Sequence, residues 1–501
     1  MPEVPQFESV LEFFLQNTRA ILPAVALVMW GLGILLFDAV TSGRERKLGV
    51  LWGTFMGLGT SAVYLYLSRG MQISMAFYQT VALDSFSFYF NVIFLISAFL
   101  TVLMSFKYLD VENEQHGEYY ALILFATSGM MFLAAATDLV SLFIGLELMS
   151  ISTYILVGFL RSRRRSNEAS IKYFLLGAFS TGVILYGMSL LYGLTGSTNL
   201  YEIGLRLARQ EETTLLTLAL FMMIAGMCFK VAAVPFHMWA PDAYEGAPTS
   251  ITAFMSVSVK AAAFAMFFRL FYAVFGSVQD VYVVVLAFIA MATITWGNVA
   301  ALTQSNIKRL LAYSSISHAG FILMGLVAGS QFGAMASAFY LFAYTFMNLG
   351  AWGVVVLLRR HDIMGERLDD FDGLYFRNPV VAILMLLFFL SLAGIPPLAG
   401  FIAKYFVFAA VLQAAFTPGA PHASLLVTLA VVGALNVVVS LYYYFRVVVS
   451  MFMRKDYVPV PLSFSRGVVL VLIITGLLTV GIGLYPEPFI RFAQAASEAI
   501  V

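Results

Sequence analysis

Fourteen apolar runs fill this chain from end to end, and about 20 such residues are what it takes to cross the hydrocarbon of a bilayer. The runs lie near 18–39, 48–68, 84–106, 118–137, 139–160, 169–194, 213–234, 249–274, 279–302, 307–328, 332–358, 379–416, 423–453 and 467–486. No water reaches the bilayer interior to satisfy backbone N–H and C=O groups, so each run must form a helix. The expected fold is therefore an all-α, polytopic membrane protein with about 14 transmembrane helices. Charged residues make up only 11% of the 501 residues, against about 25% in soluble domains, and no polar block is long enough for one. The weakest boundary is between the fourth and fifth runs, where only Thr137 and Asp138 intervene.

Lys/Arg asymmetry between loops orients such a chain. With the N-terminus outside, seventeen Lys/Arg fall on the inner side, among them Arg44, Arg46, Lys47, Arg161, Arg163–Arg165, Lys308, Arg309, Arg360 and Lys455. Five fall outside: Arg19, Arg69, Arg206, Arg209 and Arg491. An even number of spans then returns the C-terminus to the outer side. The N-terminal segment MPEVPQFESV is acidic and lacks the basic start of a signal peptide, so the first span is expected to be retained.

Two spans should be broken. The seventh ends in Val234-Pro235-Phe236-His237 and runs on to Pro248, and the twelfth is interrupted by Ala393-Gly394-Ile395-Pro396-Pro397. Proline removes a backbone donor and clashes with the preceding turn. Interrupted helices at matching positions of two halves point to inverted repeats around a mid-depth site. The organisation expected is spans 1–3 in 1–117, a first five-helix repeat in 118–274, a second in 275–453 and a last span in 454–501, each repeat carrying one broken helix. Ser150-Ile151-Ser152 against Ser315-Ile316-Ser317 is compatible with that duplication.

A net charge of +1 argues against a nucleic-acid partner. The single Cys228 excludes an internal disulfide, and the histidines at 116, 237, 318, 361 and 422 have no metal-ligand spacing. There is no phosphate-binding glycine loop and no nucleophile elbow. Cofactors and metals have no visible seat in this chain.

Ionisable residues inside the apolar runs are the functional candidates, because a charge at the bilayer centre costs roughly 2.5–3.5 kcal/mol on insertion scales. They are Glu147, Lys172, Lys230, Lys260 and Lys404. Glu147 and Lys260 lie near mid-depth, and Lys230 and Lys404 flank the two helix breaks. Lys172 is close enough to Arg165 to snorkel, as are Arg269 and Arg446 to their helix ends. His237 and His318 are possible further members, since imidazole exchanges protons near neutral pH. Four lysines and a carboxylate along one apolar chain read as stations for protons, with a carboxylate–lysine pair as the switch. Gly53, Gly57 and Gly177 are expected to permit close helix packing.

Leu146-Glu147-Leu148-Met149-Ser150, Ser170-Ile171-Lys172-Tyr173-Phe174-Leu175-Leu176-Gly177-Ala178, the stretch from Lys230 to Thr249, and Ser391 to Pro397 with Lys404 beyond resemble the antiporter-like membrane subunits of respiratory complex I. The similarity spans nearly the whole chain. Residues 173–187 and a lysine in span twelve resemble the subunit N branch more than M, and the lack of a long C-terminal arm separates it from L. The resemblance implies a proton-translocating subunit of NADH:quinone oxidoreductase in a bacterial inner membrane, both termini periplasmic. In that family Glu147 would pair with Lys230, Lys172 would modulate the pair, Lys260 would be the central relay and Lys404 would lead outside. FMN, iron–sulfur clusters, NADH and quinone would belong to partner subunits, leaving this chain without a cofactor or redox site of its own, surrounded by those subunits and membrane lipid. The alternatives are a subunit of a multisubunit sodium/proton antiporter or of a related hydrogenase-type complex.

Overall fold

The computed structural model describes residues 10–69, 74–209, 213–359, 365–454 and 465–500. Arg360, His361, Lys455 and Val501 lie outside them, as do residues 1–9 of the acidic N-terminal segment and the side chains of Arg44 and Arg46. Twenty α-helices and one small hairpin follow one another. They are α1 (Val10–Val40), α2 (Gly43–Leu67), β1 (Ser74–Ala76), β2 (Val81–Leu83), α3 (Ser85–Glu112), α4 (Gly117–Ala135), α5 (Leu139–Val157), α6 (Arg164–Thr195) and α7 (Leu200–Leu207). The middle holds α8 (Thr214–Val231), α9 (Trp239–Gly246), α10 (Thr249–Phe254), α11 (Lys260–Ala273), α12 (Gln279–Leu302), α13 (Ile307–Val327) and α14 (Gln331–Leu358). The remainder is α15 (Leu374–Arg377), α16 (Pro379–Ala393), α17 (Ala399–Phe416), α18 (Ala423–Met453), α19 (Arg466–Leu484) and α20 (Glu487–Glu498).

Fourteen helices among the described residues are long and apolar enough to cross a bilayer, matching the expected number. The boundary at Asp138 is real and has a physical cause. Its carboxylate accepts from the backbone N–H groups of Val140 (2.8 Å) and Ser141 (3.4 Å), capping α5 and forcing the chain to turn. The departure from pure helix is the antiparallel pair β1–β2, with Ser74 opposite Leu83.

α13, α14 and the α10–α11 span are buried along nearly their whole length, whereas α1, α2 and α18 present large apolar side chains outward. Close helix contacts are made over small residues. A Cβ on Gly129 of α4 would fall 2.5 Å from the Met149 nitrogen of α5, and one on Gly297 of α12 would fall 2.6 Å from the Ser317 nitrogen of α13. Gly57 and Gly177 serve in the same way, against Trp30 and Tyr154.

Both expected breaks are present. α8 ends at Ala232, in the left-handed region at φ 59°, and α16 ends at Gly394, at φ +89°. In each case a proline, Pro235 or Pro397, stands three residues beyond. The α10–α11 span is a single helix in sequence but contains a π-helical turn, Met255–Val259, immediately before Lys260.

Candidate functional site

Three of the expected lysines, Lys230, Lys260 and Lys404, are between 3% and 6% exposed inside the bundle. Each ammonium is held by a different kind of partner, and the local fold explains which. At the first break, the Trp239 indole donates to the Phe229 carbonyl (2.9 Å), so that freed acceptor is already taken. Lys230 turns instead to hydroxyls: Nζ donates to Ser150 Oγ (2.9 Å), Thr181 Oγ1 (3.2 Å) and Tyr154 Oη (3.4 Å). At the second break the carbonyls remain available, and Lys404 Nζ donates to those of Ala393 (2.8 Å) and Leu392 (2.9 Å). Lys404 also lies over the Phe321 ring, 5.1 Å from its centre.

Lys260 begins α11, just after the π turn, and donates to the Ser315 carbonyl of α13 at 2.5 Å and to the Ser315 hydroxyl. One turn further along α13, buried His318 places Nδ1 2.7 Å from Tyr340 Oη and Nε2 3.3 Å from Tyr444 Oη. The charges of Lys260 and Lys404 both bear on that imidazole. Ser315, which holds Lys260, and His318 lie one turn apart on α13.

The expected Glu147–Lys230 ion pair is not formed. Glu147 is half-buried on α5, and its Oε1 is buried without a hydrogen-bond partner among the described residues. Ser150, one turn along the same helix, occupies the ammonium instead, although the Glu147 charge still acts on Lys230. Lys172 is not in the buried row either. Its side chain is 46% exposed and pairs with Glu168 (2.8 Å) and Asp242 (3.0 Å). These residues line a polar recess of 280 Å³ with Arg165 and Glu245 on the Arg161–Arg165 side of the molecule. His237 lies half-buried in the α8–α9 break, its Nδ1 unpartnered and its ring near Trp296.

Of the two arginines expected to snorkel, Arg269 does otherwise. Arg269 is 2% exposed and closes a buried ion pair with Asp84 (Nη1–Oδ2 2.7 Å), while its Nε donates to the Ala134 carbonyl. A paired, hydrogen-bonded guanidinium has no need to reach the surface. Arg446 donates to the carbonyls of Leu302 and Gln304, satisfying the C-terminal end of α12.

Lys308, counted in the sequence as a loop charge, is a buried residue that sequence reading missed. Its Nζ donates to the carbonyls of Glu245 and Ala247 (2.7 Å each), where α9 ends. Its neighbour Arg309 pairs with Asp242 (2.8 Å) and Glu245 (2.9 Å). The start of α13 thus clamps the short half-helix beyond the first break.

The family of NADH:quinone oxidoreductase and Mrp antiporter transmembrane proteins matches residues 136–434. The chain is 50% identical over 487 residues to NADH-quinone oxidoreductase subunit N 2 of Solibacter usitatus, covering 95% of this chain and 97% of that one. Its fold is similar to a chain of respiratory complex I from Thermus thermophilus, with TM-score 0.78 and 31% identity over 94% of this chain and 99% of that one. A chain of the Mrp complex from Dietzia sp. shares the fold, with TM-score 0.82 at 21% identity over 97% of each. The chain belongs to the NADH:quinone oxidoreductase/Mrp antiporter membrane family, on the branch of NADH-quinone oxidoreductase subunit N.

Proposed function

We propose that this chain carries protons across the membrane as a subunit of NADH:quinone oxidoreductase, driven by electron transfer from NADH to quinone in partner subunits. The observation that carries the reading is the buried series Lys230, Lys260, His318 and Lys404, in which each ammonium is hydrogen-bonded to hydroxyl groups or carbonyls and to no carboxylate among the described residues. A lysine held by neutral groups keeps no fixed counter-charge, so a small change in nearby charge decides whether it holds its proton. Glu147 supplies that change at Lys230 through space, and movement of its half-buried carboxylate would strengthen or weaken the hold. Protons pass from Lys230 to Lys260, across Ser315 and His318, and out past Lys404. Lys172 and Asp242 feed the row from the recess above.

In this reading the Arg161–Arg165 side is cytoplasmic, both termini are periplasmic, and the protein sits in a bacterial inner membrane among lipid and the other subunits. FMN and iron–sulfur clusters belong to those partners, and this chain acts as a translocase without redox chemistry of its own. Residues 118–274 and 275–453 form the two inverted repeats, supported by the common spacing of the left-handed residue and proline at each break.

Inverted membrane vesicles containing the whole complex provide the test. Lys404→Ala should lower NADH-driven proton uptake by about tenfold or more, a loss on the scale of a proton-transfer group. The assembled complex should be present in normal amount. Full uptake in that variant would sink the relay.

A further inference from the structure

A second line of buried polar side chains runs through 275–453, away from the lysine row. It starts at a recess of 230 Å³ at the C-terminal end of α12, lined in part by Gln304, Ser305, Arg446 and Ser450. Arg446 lines it, and its Nε is buried with no hydrogen-bond partner among the described residues. About one turn deeper on each helix, Tyr443 of α18 donates to Asn298 Oδ1 of α12 (3.1 Å). The Asn298 amide donates on to Asn436, reaching its carbonyl at 3.1 Å and its Oδ1 at 3.2 Å. The next residue, Tyr444, lies 2.5 Å from Ser314 Oγ and 3.3 Å from His318 Nε2, its ring centre 4.4 Å from that of Tyr443.

Asn298, Ser314, His318, Asn436, Tyr443 and Tyr444 are between 0% and 7% exposed. Helices pack closely in a membrane over small residues, and a buried polar group there must keep a hydrogen-bond partner. A file of exchangeable hydroxyls and amides leading from an open recess to one imidazole is an expensive way to make a helix contact.

We infer that this file is a second proton intake, which reaches His318 from the Arg161–Arg165 side without passing Lys230. In the last step Tyr444 gives its hydroxyl proton to His318 Nε2 and takes one from the Ser314 hydroxyl. An excess proton from the cytoplasmic side, carried as hydronium by water admitted through the recess, restores the Ser314 proton, so the file is left neutral and the charge resides on His318. Asn298 positions Tyr443 and the water column and does not itself carry the proton. The row of lysines is then fed at two points, Lys230 and His318, and only the segment from His318 to Lys404 is common to both. This inference rests on the relay proposed above.

The test uses the whole complex in inverted vesicles, in a Cys228→Ser background so that introduced cysteines are the only thiols of this chain. Asn298→Cys and Tyr443→Cys should react with a small, membrane-impermeant thiosulfonate added to the exposed cytoplasmic face. Tyr443→Phe, which removes one hydroxyl and keeps the ring, should lower NADH-driven proton uptake by about half, because Lys230 still feeds the row. Asn298→Leu should do the same, with Asn298→Ser restoring part of the rate. A file that only fixes packing predicts unreactive cysteines and full uptake in Tyr443→Phe, and either result overturns the second intake. Lys404→Ala separates the two ideas, because both intakes leave past that lysine. Full uptake in Lys404→Ala removes the relay itself, whereas impaired uptake there with unreactive Asn298→Cys removes the second intake alone.

Discussion

Gly177 leaves the space that the Tyr154 hydroxyl fills: a Cβ at that glycine would stand 2.1 Å from Tyr154 Oη. The same hydroxyl accepts from Lys230, so the packing of α6 against α5 fixes one of the three groups around that ammonium. Gly177→Ala should displace Tyr154 and cost about 1–3 kcal/mol, as overpacking does. We expect slower proton uptake and a lower melting temperature of the detergent-solubilised complex. Unchanged values of both would show that Tyr154 can swing aside without consequence.

Lys404 distinguishes a relay from an anchor. Its ammonium meets the Leu392 and Ala393 carbonyls at the end of α16, and an arginine could meet the same acceptors. Arginine, however, holds its proton beyond about pH 12 and cannot release it in a cycle. Lys404→Arg is therefore expected to slow uptake as much as Lys404→Ala, with both complexes assembled. Rescue by arginine would make Lys404 a brace for the broken helix.

The Asp84–Arg269 pair predicts an asymmetric cost. Removing one member leaves an uncompensated buried charge, worth about 3–5 kcal/mol. Asp84 also caps α3 by accepting from the Ser87 nitrogen (2.7 Å), so its loss affects two elements. Arg269→Met and Asp84→Asn should each lower the melting temperature of the complex, and the double variant should be milder than their sum. Strict additivity would mean that the two groups do not depend on each other.

Orientation is tested directly with reporters. One fused after Val501 should report the periplasm, and one placed in the Arg161–Arg163 turn should report the cytoplasm. Both on one side would overturn the span order.

Fourteen helices and two breaks were legible because the bilayer writes its constraint into length and composition, and because proline acts locally. The depth of Lys230, Lys260 and Lys404 followed from the same arithmetic. Their partners did not, since Ser150, Thr181 and Ser315 are ordinary small polar residues whose importance depends on which helix faces which. Arg269 was misplaced because Asp84, its counter-ion, is 185 residues away in sequence. Lys308 looked like part of a basic loop, and only the fold brings the end of α9 to it. The Glu147–Lys230 pair was expected, but the sequence could not show that the Ser150 hydroxyl takes the ammonium.

The π-helical turn at Met255–Val259 works as a phase shift inside one span. An α-helix advances about 100° per residue, so one additional residue in a turn re-sets the azimuth of everything beyond it. Inward of the turn, Thr252 is tied to the Tyr244 carbonyl; within it, Ser256 meets Asn348 and Ser258 meets Ser97; beyond it, Lys260 meets Ser315. No uninterrupted α-helix of this sequence would satisfy the inner and outer sets together. Deleting a single residue here would change no chemistry in the site, yet it would dial Lys260 off Ser315 or the inner half off its neighbours. In this span the number of residues is as much a part of the machinery as their kind.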